Sequence, residues 1–101
     1  MNECAFEFEW DDAKAVANLR KHAVSFELAS TVFRDVRLLT VADLEHSENE
    51  DRWFSIGCAS NGAILSVAYL WLEPADAATN IRLISARAAT KTEIRHYGES
   101  L

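Results

Sequence analysis

Between positions 10 and 35 the chain commits to two short helices joined by a tight corner, and that stretch limits what the rest can be. Asp11 stands where an N-cap carboxylate accepts from the open N–H groups of a first helical turn. Asp12 adds negative charge at the positive end of the helix dipole. The pattern predicts a helix running to about Lys21-His22. At 100° per residue, Val16, Leu19 and Ala23 fall together and are the expected buried side. Lys14, Asn18, Lys21 and His22 fall opposite, at spacings of four, seven and eight, so that side is cationic and rich in donors. By residue type alone, such a face is most simply a solvated one. Ala23 then occupies the place of a left-handed cap residue, a conformation that costs alanine about 1 kcal/mol. Ser25 is a fair N-cap for the second helix, where Phe26, Ala29 and Phe33 make an apolar stripe beside Leu28 and Val32.

The flanking sequence reads as strands. Phe6, Phe8 and Trp10 alternate with Glu7 and Glu9, the period of a half-exposed strand. Residues 38–42 form a short strand, and 43–51 an acidic loop in which His46 stands alone. A strand over 52–59 leads into Asn61-Gly62, the strongest short hairpin signal. Residues 64–72 are nearly all apolar, as expected of a central strand covered on both faces. A loop over 73–80 carries the single proline and precedes a last strand over 81–86. Thr90-Lys91-Thr92-Glu93 is a capping box that starts a closing helix, with Ile94, Tyr97 and Leu101 toward one side. The order is β-α-α-β-β-β-β-α. It predicts one α+β domain over 1–101, an antiparallel meander of four or five strands with the helices on one face.

Composition narrows the function. A chain of 101 residues, half of them hydrophobic, supports one core without staples. No apolar run reaches membrane-spanning length, and Met1-Asn2-Glu3-Cys4 lacks the basic and apolar regions of a signal peptide, so a cytoplasmic protein is expected. Cys4 and Cys58 have no metal or redox spacing and read as free thiols. No zinc pattern, phosphate-binding glycine loop or nucleophile elbow occurs, and no cofactor is expected. The net charge of −6 excludes bulk coating of nucleic acid. Charge is nevertheless uneven: residues 34–51 hold six acids against two bases, and residues 82–97 hold four bases against one acid. A local basic site on an acidic body is possible, as is an acidic patch for a basic partner.

Two motifs carry a family resemblance. Trp10-Asp11-x-x-Lys14-x-x-x-Asn18-x-x-Lys21-His22-x-Val24-x-Phe26-x-x-Ala29-x-x-Val32-Phe33-x-Asp35 resembles the opening of the BrnT toxin family. Ile84-Ser85-Ala86-Arg87-x-Ala89-Thr90-x-x-Glu93-x-x-x-Tyr97 resembles its closing motif. The chain departs at Ala23, where such sequences usually carry Gly. The resemblance implies a RelE-like fold and the toxin of a type II toxin–antitoxin pair. It implies a metal-independent endoribonuclease that stops translation, held by a BrnA-type antitoxin whose ribbon-helix-helix domain binds operator DNA.

The residue types suit that chemistry. RNA cleaves itself when its 2′-hydroxyl attacks the adjacent phosphate, so a protein need only place the strand, move protons and neutralise the phosphorane. Arg and Lys serve the charge, and His or a depressed Lys serves the proton. Lys14, His22 and Arg87 are the expected catalytic groups, with Lys21, Asn18, Arg82, Arg95 and Tyr97 as RNA contacts and no metal ligands. Each also has a plain structural role available. Arg87 can pair with Glu93, His22 can offset a helix dipole, and Tyr97 can join Ile94 in the core. Strict alternation puts Arg82 and Arg87 on opposite sides of the last strand unless it bulges. A binding module, catalytically weak and acting as antitoxin partner and co-repressor, is the alternative function.

Overall fold

The computed structural model describes residues 6–42, 52–72 and 79–99. The acidic segment 43–51 with His46, most of the 73–80 loop, Cys4 and Leu101 lie outside them. The described elements are β1 (Phe6–Glu9), α1 (Asp12–His22), α2 (Phe26–Ser30), a 3₁₀ turn (Thr31–Arg34), β2 (Leu39–Ala42), β3 (Arg52–Cys58), β4 (Ile64–Leu72), β5 (Thr79–Ala88) and α3 (Lys91–Glu99).

The local signals hold where they rest on side-chain chemistry. Asp11 accepts from Lys14 N at 3.0 Å and Ser25 from Leu28 N at 3.0 Å. The α1–α2 corner turns at Ala23, whose φ of 60° is left-handed. At the far end Glu93 N–H donates to Thr90 Oγ1 and Thr90 N–H to Glu93 Oε1, which closes the capping box. The hairpin between β3 and β4 forms at Asn61-Gly62, with Gly62 at φ 90° and Ala59 N–H donating to Ala63 O. The strand order is β1-β5-β4-β3-β2, so the apolar β4 is central.

Three expectations change. First, the sheet is mixed. β2 to β5 form the antiparallel meander, but β1 pairs with β5 in parallel, Phe8 opposite Ile81. No turn joins β1 to β5, so nothing local sets their direction. Second, the helices do not share one face. α1, α2 and the 3₁₀ turn cover the face carrying Leu65, Val67, Tyr69, Ile81, Leu83 and Ala86, which form the core with Val24, Phe26, Ala29 and Val32. Phe33 ties this layer together, with ring centroids 5.0 Å from Tyr69 and 5.4 Å from Phe8. Gly57 allows the close approach, because a Cβ there would lie 2.6 Å from Leu38 Cδ1. α3 instead crosses the opposite face, from Arg87 on β5 to Asp35 beside β3, and buries none of its residues.

Third, α1 is rotated from its apolar stripe. Val16 and Leu19 are 56% and 52% exposed, while Asn18 is 6% exposed. The cause is the edge of β5. β1 covers that edge only as far as Arg82, and beyond it the Asn18 carboxamide takes over. Its Nδ2 donates to Ala86 O and to Val24 O, each at 2.9 Å, and its Oδ1 accepts from Ala86 N at 3.0 Å. A buried strand edge needs donors and acceptors more than it needs methyl groups. No helix among the described residues is long and apolar enough to cross a membrane.

The strained corner gives a test of the local account. Ala23→Gly removes the left-handed penalty, and the urea midpoint should rise by an amount equal to about 1 kcal/mol. An unchanged or lower midpoint contradicts it.

Candidate functional site

Holding α1 against the edge of β5 creates a seam. Lys14, Lys21 and His22 line a pocket of about 210 Å³ there, together with Ala17, Asn18, Ile84 and Ser85. Lys14 and Lys21 are exposed and His22 is half-buried. The cationic side of the helix is therefore one wall of a concavity, facing a strand across it. Asn18, expected beside them as an RNA contact, has its amide committed to backbone groups in the interior.

The strand wall contains a bulge. Ala68 pairs with Ser85 but Tyr69 with Leu83, so Ile84 is the extra residue. The bulge restores phase: Arg82, Ser85 and Arg87 lie opposite Leu70, Ala68 and Ser66, which share one face of β4. Both arginines thus stand on the face opposite the core, one on either side of the pocket wall at Ser85. At roughly 3.3 Å of rise per residue, Arg87 is about 7 Å along the strand from Ser85. Arg52 joins the same face, since it pairs with Leu70 in line with Arg82. The sequence reading missed Arg52, although the Asn-Gly hairpin fixes its register.

The arginines are engaged. Arg82 meets Glu9 of β1 at 2.6 Å. Arg87 forms a fork on Glu93, Nη1 to Oε1 at 2.8 Å and Nη2 to Oε2 at 3.0 Å, and Nη1 also reaches Ala88 O. The hydrogen bond to Glu93 raises the Arg87 pKa against its partial burial. The same fork holds the Glu93 carboxyl below its usual range, although burial works the other way. These ion pairs among the described residues leave Lys14 and Lys21 unengaged. Arg95 is exposed on α3.

Tyr97 is half-buried and does not join Ile94 in the core, since Ile94 is 43% exposed. Its hydroxyl donates to Asp35 Oδ2 at 2.5 Å. Asp35 also accepts from Cys58 N and Arg37 N, so one carboxylate ties α3, β3 and the corner before β2. Burial pushes the Asp35 carboxyl up, but these hydrogen bonds outweigh it and hold it below the usual carboxylate range. The hydrogen bond to Asp35, helped by burial, pushes the Tyr97 phenol up to about 12.

With this geometry in view, comparison with known proteins is specific. Residues 10–93 match the family model described as ribonuclease toxin, BrnT, of type II toxin-antitoxin system. The chain belongs to the BrnT family. The 1.1 Å crystal structure of the Brucella abortus ribonuclease toxin, BrnT, is similar in fold, with a TM-score of 0.59 and 23% sequence identity over 86% of this chain and 99% of that one. No curated protein matches. This BrnT-family chain is therefore of a ribonuclease-toxin type that works with an antitoxin partner.

The Asp35 contact predicts an alkaline titration. The chain has two tyrosines, and Tyr69 is also raised, by burial against its hydrogen bonds to Ser55 and Thr40. A raised phenol contributes stability that is complete below about pH 10 and is lost as pH rises through the folded value. Absorbance at 295 nm should stay flat through about pH 10 while circular dichroism remains native. Ionisation of Tyr97 there in the folded protein contradicts the Tyr97–Asp35 bond.

Proposed function

We propose that the chain is a metal-independent endoribonuclease of RelE-like fold that stops translation in the cytoplasm, with RNA bound along the seam and the adjoining open sheet face. The observation that carries this reading is the pocket walled by Lys14, Lys21 and His22, next to a strand whose bulge turns Arg82 and Arg87 to the same side. A phosphodiester seated against Ser85 meets Lys14 from the helix and Arg87 from the strand. His22, half-buried at the pocket, is the group suited to taking the 2′-hydroxyl proton. The oxygen then attacks the adjacent phosphorus, charge builds on the non-bridging oxygens, and the P–O5′ bond breaks as the 5′-oxygen takes a proton from water while His22 keeps the one it removed. Lys14 and Arg87 serve the phosphorane charge. Lys21, Arg82, Arg95 and Tyr97 serve the strand on either side, and we add Arg52 to them. Asn18 is assigned to positioning α1.

The antitoxin is taken to be of the BrnA type, with a ribbon-helix-helix domain, and operator DNA is reached only through it. One observation favours the alternative reading, a catalytically weak binding module and co-repressor. Both Arg82 and Arg87 are already neutralised by carboxylates of the chain itself. An RNA phosphate must displace Glu9 and Glu93 or share the guanidinium with them.

Incubation of the purified protein with RNA separates the two. Cleavage should occur and persist in EDTA, leaving 2′,3′-cyclic phosphate ends. Lys14→Ala combined with Lys21→Ala should slow it at least about tenfold, since the first removes a cation from the transition state and the second a contact to the RNA strand. Far-UV circular dichroism should not change, because both side chains are exposed. RNA left intact by the wild type transfers the function to the binding module. Cleavage abolished by chelation overturns the metal-free mechanism.

A further inference from the structure

The two arginines beside the pocket wall are held in different ways. Arg82 meets Glu9 through one contact of 2.6 Å, and both side chains are nearly half exposed. A pair between exposed partners is worth little and yields to a phosphate. Arg87 is held by a fork, Nη1 to Glu93 Oε1 at 2.8 Å and Nη2 to Oε2 at 3.0 Å. The carboxylate is the covered member of that pair, 18% exposed against 42% for the arginine side chain. It is also pinned by its own helix. Glu93 Oε1 accepts from Thr90 N at 2.9 Å, and Glu93 N–H donates to Thr90 Oγ1 at 3.1 Å. The far end of α3 is tied by Tyr97 to Asp35. Displacing Glu93 would therefore break the fork and open the helix cap together.

The fork leaves room for a second anion. A guanidinium carries five N–H donors in one plane, with two edges that can each hold an oxyanion. The end edge joins Nη1 and Nη2, and the side edge joins Nη2 and Nε. Glu93 occupies the end edge. The other Nη1 hydrogen is donated to Ala88 O at 3.3 Å. What is left is the side edge, Nε–H with the outer Nη2 hydrogen, and among the described residues nothing accepts from it. A phosphate can take this edge while Glu93 keeps the other. Because the group is rigid and planar, fixing one edge fixes the direction of the second.

We propose that Glu93 is a positioning residue, gripping the end edge of Arg87 so that the side edge is presented to an RNA phosphate. The inference rests on the reading of Arg87 as an arginine that meets that phosphate. It also gives α3, which buries no residue of its own, a task at the site.

Glu93→Gln is the test, because a capping box accepts Gln as well as Glu and far-UV circular dichroism should stay native. The change keeps the guanidinium charge and removes its counter-charge, so RNA should bind at least as well, while the orientation is lost. In cleavage assays kcat should fall at least about tenfold with KM unchanged or lower, as for an interaction realised in the transition state. In an Arg87→Lys background the same change should alter kcat less than about twofold, since an ammonium has no second edge to aim. A kcat that is unchanged or raised in Glu93→Gln overturns the proposal and leaves the ribonuclease reading standing. An equal loss in both backgrounds also overturns it, since Glu93 would then serve only the helix. A second measurement does not need turnover. In the ¹⁵N-labelled wild type, the Arg87 Nε–H resonance should move on addition of a 2′-O-methyl RNA oligonucleotide, which lacks the attacking hydroxyl. An Nε–H that stays in place overturns the proposal. A wild type whose Nε–H moves but that never cleaves RNA sinks the catalytic reading alone.

Discussion

The structure depends on one side chain sealing one strand edge. β5 runs on past the end of β1, and the amide of Asn18 supplies Ala86 with the donor and acceptor that a neighbouring strand would have provided. The third bond, to Val24 O, ties the helix end to the corner that follows it. An unpaired buried backbone group costs about 1–3 kcal/mol, so three such groups decide how the helix is rotated. Two exposed apolar side chains, Val16 and Leu19, are the consequence. The cationic seam is another, because fixing Asn18 inward fixes Lys14, Lys21 and His22 around the bulge of β5.

α3 follows a different logic. With no buried residue of its own, it is held by polar contacts at both ends. Glu93 serves at once as the capping-box carboxylate and as the partner of Arg87, and Tyr97 closes onto Asp35. Both carboxyls are held below their usual range. Their contribution is therefore complete above the ordinary carboxylate range and is lost as pH falls through the lower folded values. This polar strap crosses one end of the sheet face opposite the core, where Ile56 and Ser66 are buried. It also means that Arg87 has a structural task beside any role at the phosphate.

What was legible in the sequence were features that residues announce locally. Asp11, Ser25, the Thr90–Glu93 box and the Asn61-Gly62 hairpin were all readable, because each depends on neighbours a few positions away; the place of the left-handed cap at residue 23 was readable too, but not that alanine would adopt it unchanged. The parallel pairing of β1 with β5 was not, since no turn joins the two strands. The helix face was misread because periodicity assumes that apolar means inside. Here the helix packs on a strand edge, which asks for an amide. The bulge at Ile84 was likewise silent, and it alone reverses the relation between Arg82 and Arg87. The cations of α1 share one helix face in the sequence and line one pocket in the structure, and the pairing of Arg87 with Glu93 was an available reading, while the bond of Tyr97 to Asp35 emerges only in three dimensions.

The central claim is that Asn18, and not the apolar stripe of the first helix, anchors that helix. Urea unfolding of Asn18→Ala beside Leu19→Ala tests it directly. Asn18→Ala strands three buried backbone groups and should lose about 3 kcal/mol. Leu19→Ala removes a half-exposed side chain from a helix that favours alanine, and should change stability by less than about 0.5 kcal/mol. The reverse order, with Leu19→Ala the more damaging, would contradict the account.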